Sequence, residues 1–170
     1  TVHVVDSRRS TAPARANRDV GAPVRRSAAM LELARLIERV AERKIPVLVL
    51  GETGTGKELV AREIHARSPR KDAALTIVNC ATIPEQLVES VLFGHTKGAF
   101  TGADRNRRGV FEEAHGGTVF LDEVAELRPA AQAALLRVLD TGRVSPIASN
   151  REIQVDVRVI AATHRNLLEM

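Results

Sequence analysis

A glycine-rich segment that ends in a lysine carries the clearest chemical signal of the sequence. Residues 51–57 read G-E-T-G-T-G-K and fit the pattern G-x-x-x-x-G-K, between an apolar run at 47–50 and a helical pattern from Lys57 to about Arg67. Glycines in such a loop let backbone N–H groups turn toward phosphate oxygens, and the helix N-terminus adds a partial positive charge. The lysine then reaches the β- and γ-phosphates. The predicted phosphate-binding residues are Gly51, Glu52, Thr53, Gly54, Thr55, Gly56, Lys57 and Glu58.

Two acids, Asp122 and Glu123, directly follow the apolar run T-V-F-L at 118–121. In a nucleotide hydrolase with a phosphate loop, the acid at the end of such a strand holds Mg²⁺, so Asp122 is the predicted metal residue. Glu123 would polarise the attacking water as a general base. Taken alone, the pair could mark a strand that exits into solvent, but the phosphate loop favours catalysis. Glu58 departs from the general motif, which has a Ser or Thr for Mg²⁺ at that place.

Polar residues also end two other predicted strands. Asn79 follows the run 75–78 and could hydrogen-bond Glu123, while Thr163 and His164 follow the last strand and could sense the γ-phosphate or position water. For each residue, a role as only a cap or turn residue is an equal alternative. His164 has no partners in the sequence that would make a zinc site.

A loop of small residues surrounds a single phenylalanine. Its residues are Gly98, Ala99, Phe100, Thr101, Gly102 and Ala103. Such a segment could move freely and offer Phe100 as an anchor for a partner. Alternatively, Phe100 could fold back into the core while the glycines form turns. The residues alone leave both interpretations open.

The elements that must position these residues follow from hydrophobic periodicity. Amphipathic patterns predict helices, and short apolar runs between them predict strands buried on both faces. The predicted helices are 28–43, 57–67, 84–92 and 129–139, and the predicted strands are 47–50, 75–79, 118–121 and 155–161. Strands that alternate with helices indicate βαβ units, hence an α/β fold with a parallel sheet. Its core must be aliphatic, because the chain has four Phe, no Tyr and no Trp.

Composition narrows the class of protein. The chain has 170 residues, of which 44% are hydrophobic and 27% charged, which is typical of one globular domain and excludes disordered and fibrous proteins. A single cysteine excludes an intrachain disulfide and favours a cytoplasmic setting. No apolar run approaches the roughly 18 residues of a membrane span.

The net charge of +4 belongs to one end of the chain. Residues 1–26 hold six arginines against two aspartates, a balance of +4, so residues 27–170 are neutral. We interpret residues 1–26 as a mobile basic linker ahead of a core at 27–170. A dedicated nucleic-acid arm is the less favoured alternative.

Together these motifs resemble the central AAA+ domain of bacterial sigma-54 activators, also called enhancer-binding proteins. G-E-T-G-T-G-K-E (51–58) is that family's form of the phosphate loop, Glu58 included. G-A-F-T-G-A (98–103) is its signature, and G-G-T-V-F-L-D-E-V (116–124) is its acidic-strand motif. L-L-R-V-L-D-T-G-R (135–143) and D-V-R-V-I-A-A-T-H-R-N-L (156–167) also fit. The resemblance covers roughly residues 27–168.

The resemblance implies a P-loop NTPase fold, a three-layer α/β/α sandwich with a parallel sheet. It implies hydrolysis of Mg-ATP in ring hexamers that remodel the closed complex of RNA polymerase with sigma-54 in the bacterial cytoplasm. Residues 98–103 would contact sigma-54 through Phe100 and Thr101. Asn79 would restrain Glu123 until nucleotide signals its release. Thr163 and His164 would lie in the sensor segment. Residues 141–154 would include a second pore-facing insertion, here without the Val-Gly-Gly-like centre frequent in relatives.

The family's pattern continues beyond the place of Met170 with arginine fingers, a helical lid and usually a DNA-binding helix-turn-helix. The resemblance therefore implies an incomplete core that turns over ATP slowly by itself, since an arginine finger contributes about 10³–10⁵ in rate. Two hypotheses follow: the ATPase core of a transcription activator, or a non-hydrolysing module that binds nucleotide and sigma-54. A third, nucleic-acid binding through the basic segment, is disfavoured by the neutral body.

Overall fold

The structure is a computed structural model that describes residues 3–6 and 28–165. It contains a central sheet, two small hairpins and five helices within those ranges. In chain order the elements are β1 (His3–Asp6), α1 (Ala28–Ala41), β2 (Val47–Leu50), α2 (Lys57–Ala66), β3 (Leu75–Asn79), α3 (Val88–Phe93), β4 (Gly94–His95), β5 (Arg107–Arg108), α4 (Val110–Glu113), β6 (Thr118–Asp122), α5 (Pro129–Thr141), β7 (Arg143–Val144), β8 (Ile153–Gln154) and β9 (Arg158–Thr163). Single 3₁₀ turns follow β3 and β6, at Cys80–Thr82 and Val124–Glu126.

The central sheet has the strand order β1-β2-β9-β6-β3, and all of its pairs are parallel. Leu50 lies opposite Thr163 in the β2–β9 pair, and Asn79 lies opposite Asp122 in the β3–β6 pair. The carboxyl ends of the four strands that carry the predicted site residues therefore meet at one edge. In open parallel sheets this edge is where ligands bind.

Helices cover both faces of the sheet, which confirms the predicted three-layer α/β/α architecture. Val119 and Leu121 of β6 belong to a core with α3, α4 and α5, whereas Phe120 between them belongs to a second core with α1 and α2. This alternation is the period of two that a strand imposes on its side chains. Residues 118–121 are fully buried, as expected for a strand covered on both faces.

Several element boundaries differ from the sequence prediction for identifiable reasons. The predicted helix from Pro84 begins instead at Val88, because residues 84–87 form a turn in which Leu87 N donates to Pro84 O. The last strand begins at Arg158 and not at Val155, since Val155 N donates to Gly142 O next to the β7–β8 hairpin. Residues 155–157 therefore belong to a hydrogen-bonded connection after the hairpin, although their apolar pattern predicts a strand of the sheet.

Strand β1 lies within the segment for which the sequence predicts a mobile linker. It pairs with β2 from Val47 to Leu50, so the linker prediction is wrong for residues 3–6. Without β1, β2 would be an edge strand with unpaired backbone groups, and the two valines of β1 suit a pleated strand. The remainder of the predicted linker lies outside the described residues, and the boundary at 26 stays a prediction.

A buried arginine joins the sheet to α1. Arg158, at the start of β9, donates through Nη1 to Ala41 O and through Nη2 to Val40 O, both at 2.6 Å. These carbonyls belong to the last turn of α1, where helix carbonyls lack intrahelical partners and a cation is favoured. The contact fixes α1 against the amino-terminal edge of the sheet, opposite the predicted site. No helix in the described ranges is long and apolar enough to cross a membrane.

Candidate nucleotide site

The glycine-rich loop connects the end of β2 to the start of α2. Gly54 and Gly56 have φ angles of 81° and 85°, in the left-handed region that other residues rarely adopt. A Cβ at Gly54 would meet no atom within 4 Å, so backbone conformation and not crowding favours glycine there. Thr55 closes the turn by donating from its N–H and its hydroxyl to Glu52 O. The loop thus leads directly into the N-terminus of α2, as a phosphate site requires.

Lys57, the first residue of α2, is buried, and its ammonium group has three hydrogen-bond partners. Its Nζ lies 3.0 Å from Gly51 O, 3.3 Å from Glu52 O and 3.2 Å from Glu123 Oε1. An ammonium group has three protons, so two hold the loop and the third holds Glu123. This contact spans 66 positions of sequence and brings the phosphate loop and the acidic strand end together.

Glu123 is held on two sides and has a strained backbone. Its φ of 54° and ψ of 47° are left-handed, which costs a non-glycine residue about 1–2 kcal/mol. Its Oε2 accepts hydrogen bonds from His164 Nδ1 at 2.7 Å and from His164 N at 3.2 Å. Burial alone would raise the pKa of Glu123, but the hydrogen bonds from His164 and Lys57 outweigh it and lower that pKa. Such strain is characteristic of functional sites.

Asp122 occupies a different electrostatic environment. Burial raises its pKa first, the neighbouring Glu123 carboxylate raises it further, and Lys57 partly offsets both. A cation beside Asp122 would relieve this repulsion. The described residues contain no cluster of three or more His, Cys, Asp or Glu that could hold a metal. Mg²⁺ needs only one or two carboxylates when phosphates and water complete its shell, so Asp122 fits that ion.

A cleft of about 630 Å³ lies over this edge of the sheet. It brings together the predicted site residues Thr53, Asn79, Asp122, Glu123 and His164. Its volume is within the usual range for small-molecule sites. Cys80 also lines the cleft, but burial raises the pKa of its thiol to about 12, so it is not a nucleophile at neutral pH.

Asn79 does not hydrogen-bond Glu123 in the described structure. Its Oδ1 accepts a hydrogen bond from Ala81 N at 3.0 Å and caps the 3₁₀ turn that follows β3. Only the side-chain N–H₂ of Asn79 could donate to the Glu123 carboxylate, and this predicted hydrogen bond is not present among the described residues; the bond from Ala81 N instead holds the Asn79 side chain at the 3₁₀ turn. His164 bonds Glu123 instead.

Thr163 and His164 separate into two roles. Thr163 is fully buried; its carbonyl accepts from Gly51 N at 3.2 Å, and its hydroxyl accepts from Arg165 N at 3.1 Å. It ties the end of β9 to the start of the phosphate loop and does not line the cleft. His164 is the residue of this pair that reaches the cleft and the Glu123 carboxylate.

The glycine loop with Phe100 forms part of a larger projection, which we term the first loop (residues 94–108). Strands β4 and β5 close its base, and Gly98 and Gly102 turn its tip with φ angles of 82° and 95°. Phe100 is 37% exposed, and its ring and the His95 ring are arranged edge to face with a centroid distance of 5.0 Å. Phe100 is thus neither in the core nor free of the protein.

A second loop (residues 143–154) lies beside the first. Strands β7 and β8 form its base. Ile147 at its tip donates from N to Gly94 O at 2.9 Å and accepts from Thr96 N at 3.2 Å. The predicted second insertion is therefore hydrogen-bonded to the base of the first loop.

Comparison with known proteins identifies the family. Residues 24–170 match the family described as the Sigma-54 interaction domain. The chain belongs to this family. It is 55% identical over 141 residues to the nitrogen fixation protein AnfA of Azotobacter vinelandii, covering 83% of this chain and 26% of AnfA. It is 59% identical over 129 residues to the hydrogenase transcriptional regulatory protein HoxA of Cupriavidus necator, covering 76% of this chain and 27% of HoxA.

Solved structures agree with the assignment to the sigma-54 interaction domain. The crystal structure of NtrX from Brucella abortus in complex with ATP matches with a TM-score of 0.77 at 40% identity, covering 85% of this chain and 31% of NtrX. The predicted P-loop fold is thereby confirmed. The chain spans about a quarter to a third of the length of these relatives.

Sequence reasoning missed two contacts that organise the site of this sigma-54 interaction domain. It placed Lys57 on phosphates alone and did not anticipate its bond to Glu123. It also did not pair His164 with Glu123. Both could have been suspected from topology, because Glu123 and His164 follow neighbouring parallel strands and Lys57 begins the helix after the loop that follows β2.

Proposed function

We propose that this domain binds Mg-ATP in the cleft over the carboxyl edge of the sheet and couples its hydrolysis to remodelling of the RNA polymerase–sigma-54 closed complex. The observation that carries the proposal is the convergence of Lys57, Asp122, Glu123 and His164 at that edge. The solved ATP complex of the related NtrX supports nucleotide as the ligand. A ring hexamer in the cytoplasm is the assembly we expect for the whole protein, with DNA contacted through a separate helix-turn-helix.

Binding of the phosphates uses the loop backbone, the N-terminus of α2 and Lys57. Two protons of the Lys57 ammonium hold Gly51 O and Glu52 O, which keeps the side chain aligned along the loop. The third N–H of Lys57 donates to Glu123 Oε1, which lies 3.2 Å from Nζ, and it is the one whose hydrogen bond a phosphate oxygen can accept. Phosphate binding therefore competes with Glu123 for Lys57.

Asp122 would hold the metal of the bound nucleotide. When bound, Mg²⁺ neutralises negative charge on the β- and γ-phosphate oxygens. Asp122 suits this task because its carboxylate stands beside a second negative charge and is only partly compensated by Lys57. Its Oδ1 also accepts a hydrogen bond from Glu123 N at 3.1 Å, which orients the side chain.

Glu123 would act as the general base that accepts a proton from the attacking water. Its pKa lies below the ordinary value, so it is ionised at neutral pH. In the described arrangement both carboxylate oxygens are occupied, one by Lys57 and one by His164. A base needs a free oxygen within hydrogen-bond reach of its water, so these contacts restrain it. We assign the restraining role to His164, in place of the predicted Asn79.

The first loop would carry the contact with sigma-54, through Phe100 and Thr101 at its tip. A structural connection to the nucleotide site runs along the chain. Helix α5 begins seven residues after Asp122 and leads into the second loop, whose Ile147 is hydrogen-bonded to the base of the first loop. A change at the acidic strand end can thus reach Phe100 through packed and hydrogen-bonded elements.

Calorimetric titration with Mg-ATP tests the nucleotide site. Lys57→Ala should lose measurable binding, whereas Lys71→Ala, at an exposed turn position, should bind as the unchanged chain does. Equal affinity in both variants would refute the phosphate-loop assignment. Hydrolysis is measured in parallel with radiolabelled ATP across a concentration series. Binding without any turnover over that series would favour the alternative, a non-hydrolysing nucleotide- and sigma-54-binding module.

A further inference from the structure

His95 lies at the base of the first loop and is held between two side chains. Its Nδ1 is 2.7 Å from Ser90 Oγ on α3, and its ring and the Phe100 ring are arranged edge to face with an interplanar angle of 64°. His95 is 8% exposed and Ser90 is 3% exposed. A histidine–serine pair at this distance could activate a hydroxyl, but burial of both residues denies a substrate access. Their contact must therefore act on the protein itself.

The backbone around His95 connects the two loops. His95 pairs with Arg107 across the base of the first loop and forms a parallel bridge with Ile147 of the second loop. Its neighbours strengthen this bridge, since Gly94 O accepts from Ile147 N and Thr96 N donates to Ile147 O. Displacement of Ile147 would therefore move the segment that carries the imidazole.

We propose that His95 is a positioning residue for Phe100. Ser90 fixes the imidazole, the imidazole holds the Phe100 ring against the base of the first loop, and displacement of Ile147 releases the ring toward its partner. The inference rests on the proposed contact between Phe100 and sigma-54 and names the group that controls it. The partial exposure of Phe100 fits a ring that lies outside the core and can leave its contact with His95.

We term the state in which the Phe100 ring lies against His95 the held conformer. Loss of the contact between the two rings should lower the population of the held conformer by a measurable amount. Aromatic edge-to-face pairs have energies that correspond to about twofold to tenfold in an equilibrium constant. A shift of that size is visible in a spectroscopic population average. It is also too small to unfold a domain, so the fold and the position of Phe100 can be followed separately.

Fluorine NMR of the chain labelled with 4-fluorophenylalanine provides this measurement. The chain has four phenylalanines, so it gives four resonances, and Phe100→Leu assigns the one of interest. Phe93, Phe111 and Phe120 are buried and report on the fold. His95→Asn keeps a polar atom toward Ser90 but removes the ring that Phe100 touches. His115→Asn is the matched control at a distant histidine.

In His95→Asn the Phe100 resonance should move toward the position of free 4-fluorophenylalanine, with a larger solvent isotope shift, while the three buried resonances stay in place. His95→Phe, which restores an aromatic ring at this position, should recover part of the difference. An unchanged Phe100 resonance would overturn the proposal, as would equal movement of all four resonances. Ser90→Ala tests the proposal through the other partner of His95. It should shift the Phe100 resonance in the same direction by a smaller amount, and an unshifted resonance would contradict the proposal.

Titration of the same variants with purified sigma-54 links the position of Phe100 to binding. His95→Asn should bind sigma-54 about twofold to tenfold more tightly, because less of the chain is in the held conformer. Phe100→Ala should abolish binding. Retained binding by Phe100→Ala would refute the proposed function of the loop, and the fluorine measurement, which needs no sigma-54, would still decide the role of His95.

Discussion

Replacement of Glu123 by glutamine should tighten the binding of ATP, although it removes the proposed catalytic base. In the described arrangement Lys57 Nζ donates to Glu123 Oε1, and both side chains are largely buried, with 5% and 13% exposed. A phosphate must displace this charged acceptor. Hydrogen bonds to charged groups are stronger than neutral ones by about 1–2 kcal/mol. Glutamine leaves a neutral acceptor, so the affinity should rise about fivefold to thirtyfold.

Calorimetry with Mg-ATP measures the effect, and Glu126→Gln is the matched control. Glu126 lines the same cleft but pairs with Arg165 and not with Lys57. The control therefore removes one negative charge near the nucleotide without freeing the lysine. If Glu123→Gln bound ATP no more tightly than Glu126→Gln, competition between Glu123 and phosphate for Lys57 would be refuted. Turnover by Glu123→Gln should fall about 10²–10⁴-fold, the usual contribution of a general base.

Two further predictions concern stability. Arg158→Met should lower the free energy of unfolding in urea by about 2–4 kcal/mol, because two buried carbonyls of α1 lose charged donors. An unchanged urea midpoint would show that these two hydrogen bonds make no net contribution to stability. His65, bonded to Thr118 Oγ1, has a pKa lowered by burial from 6.5. The unfolded chain therefore binds more protons below about pH 6.5, so the unfolding free energy should fall as pH decreases from there. His65→Gln should flatten this dependence, and an equal slope in both proteins would contradict it.

The sequence predicts the scaffold of this domain well because the scaffold depends on periodic burial. Strand 47–50 matches β2 at both ends, and the acidic strand differs from β6 by one residue. Both are buried on two faces and thus appear as continuous apolar runs. The strand predicted at 155–161 is shifted, since Val155 is buried beside a loop, and burial alone does not distinguish a sheet from a loop connection.

The sequence predicts which residues gather at the candidate site but not which of them hydrogen-bond to one another. The residue types and their places after strands indicate which side chains gather at the edge. Their partners depend on distances of a few tenths of an ångström, which no spacing in sequence reports. Asn79 illustrates this limit, since its side chain caps the 3₁₀ turn at Ala81 N, and His164 contacts Glu123 instead. Likewise, the glycines around Phe100 gave no indication that His95 would lie against its ring.

Glu123 joins the nucleotide site to the rest of the domain, and its backbone explains how. A left-handed conformation persists at a non-glycine residue only where its surroundings hold it. Here Lys57 and His164 hold the side chain, and the 3₁₀ turn Val124–Glu126 follows at once, leading to α5. A ligand shifts a conformational equilibrium only by its differential affinity for the two states. In the proposed function, ATP would gain that difference when a phosphate oxygen accepts the hydrogen bond that Lys57 now donates to Glu123, which would free one carboxylate oxygen of Glu123. Relief of about 1–2 kcal/mol of backbone strain would then favour movement of the turn, α5 and the second loop, whose Ile147 is hydrogen-bonded to both neighbours of His95.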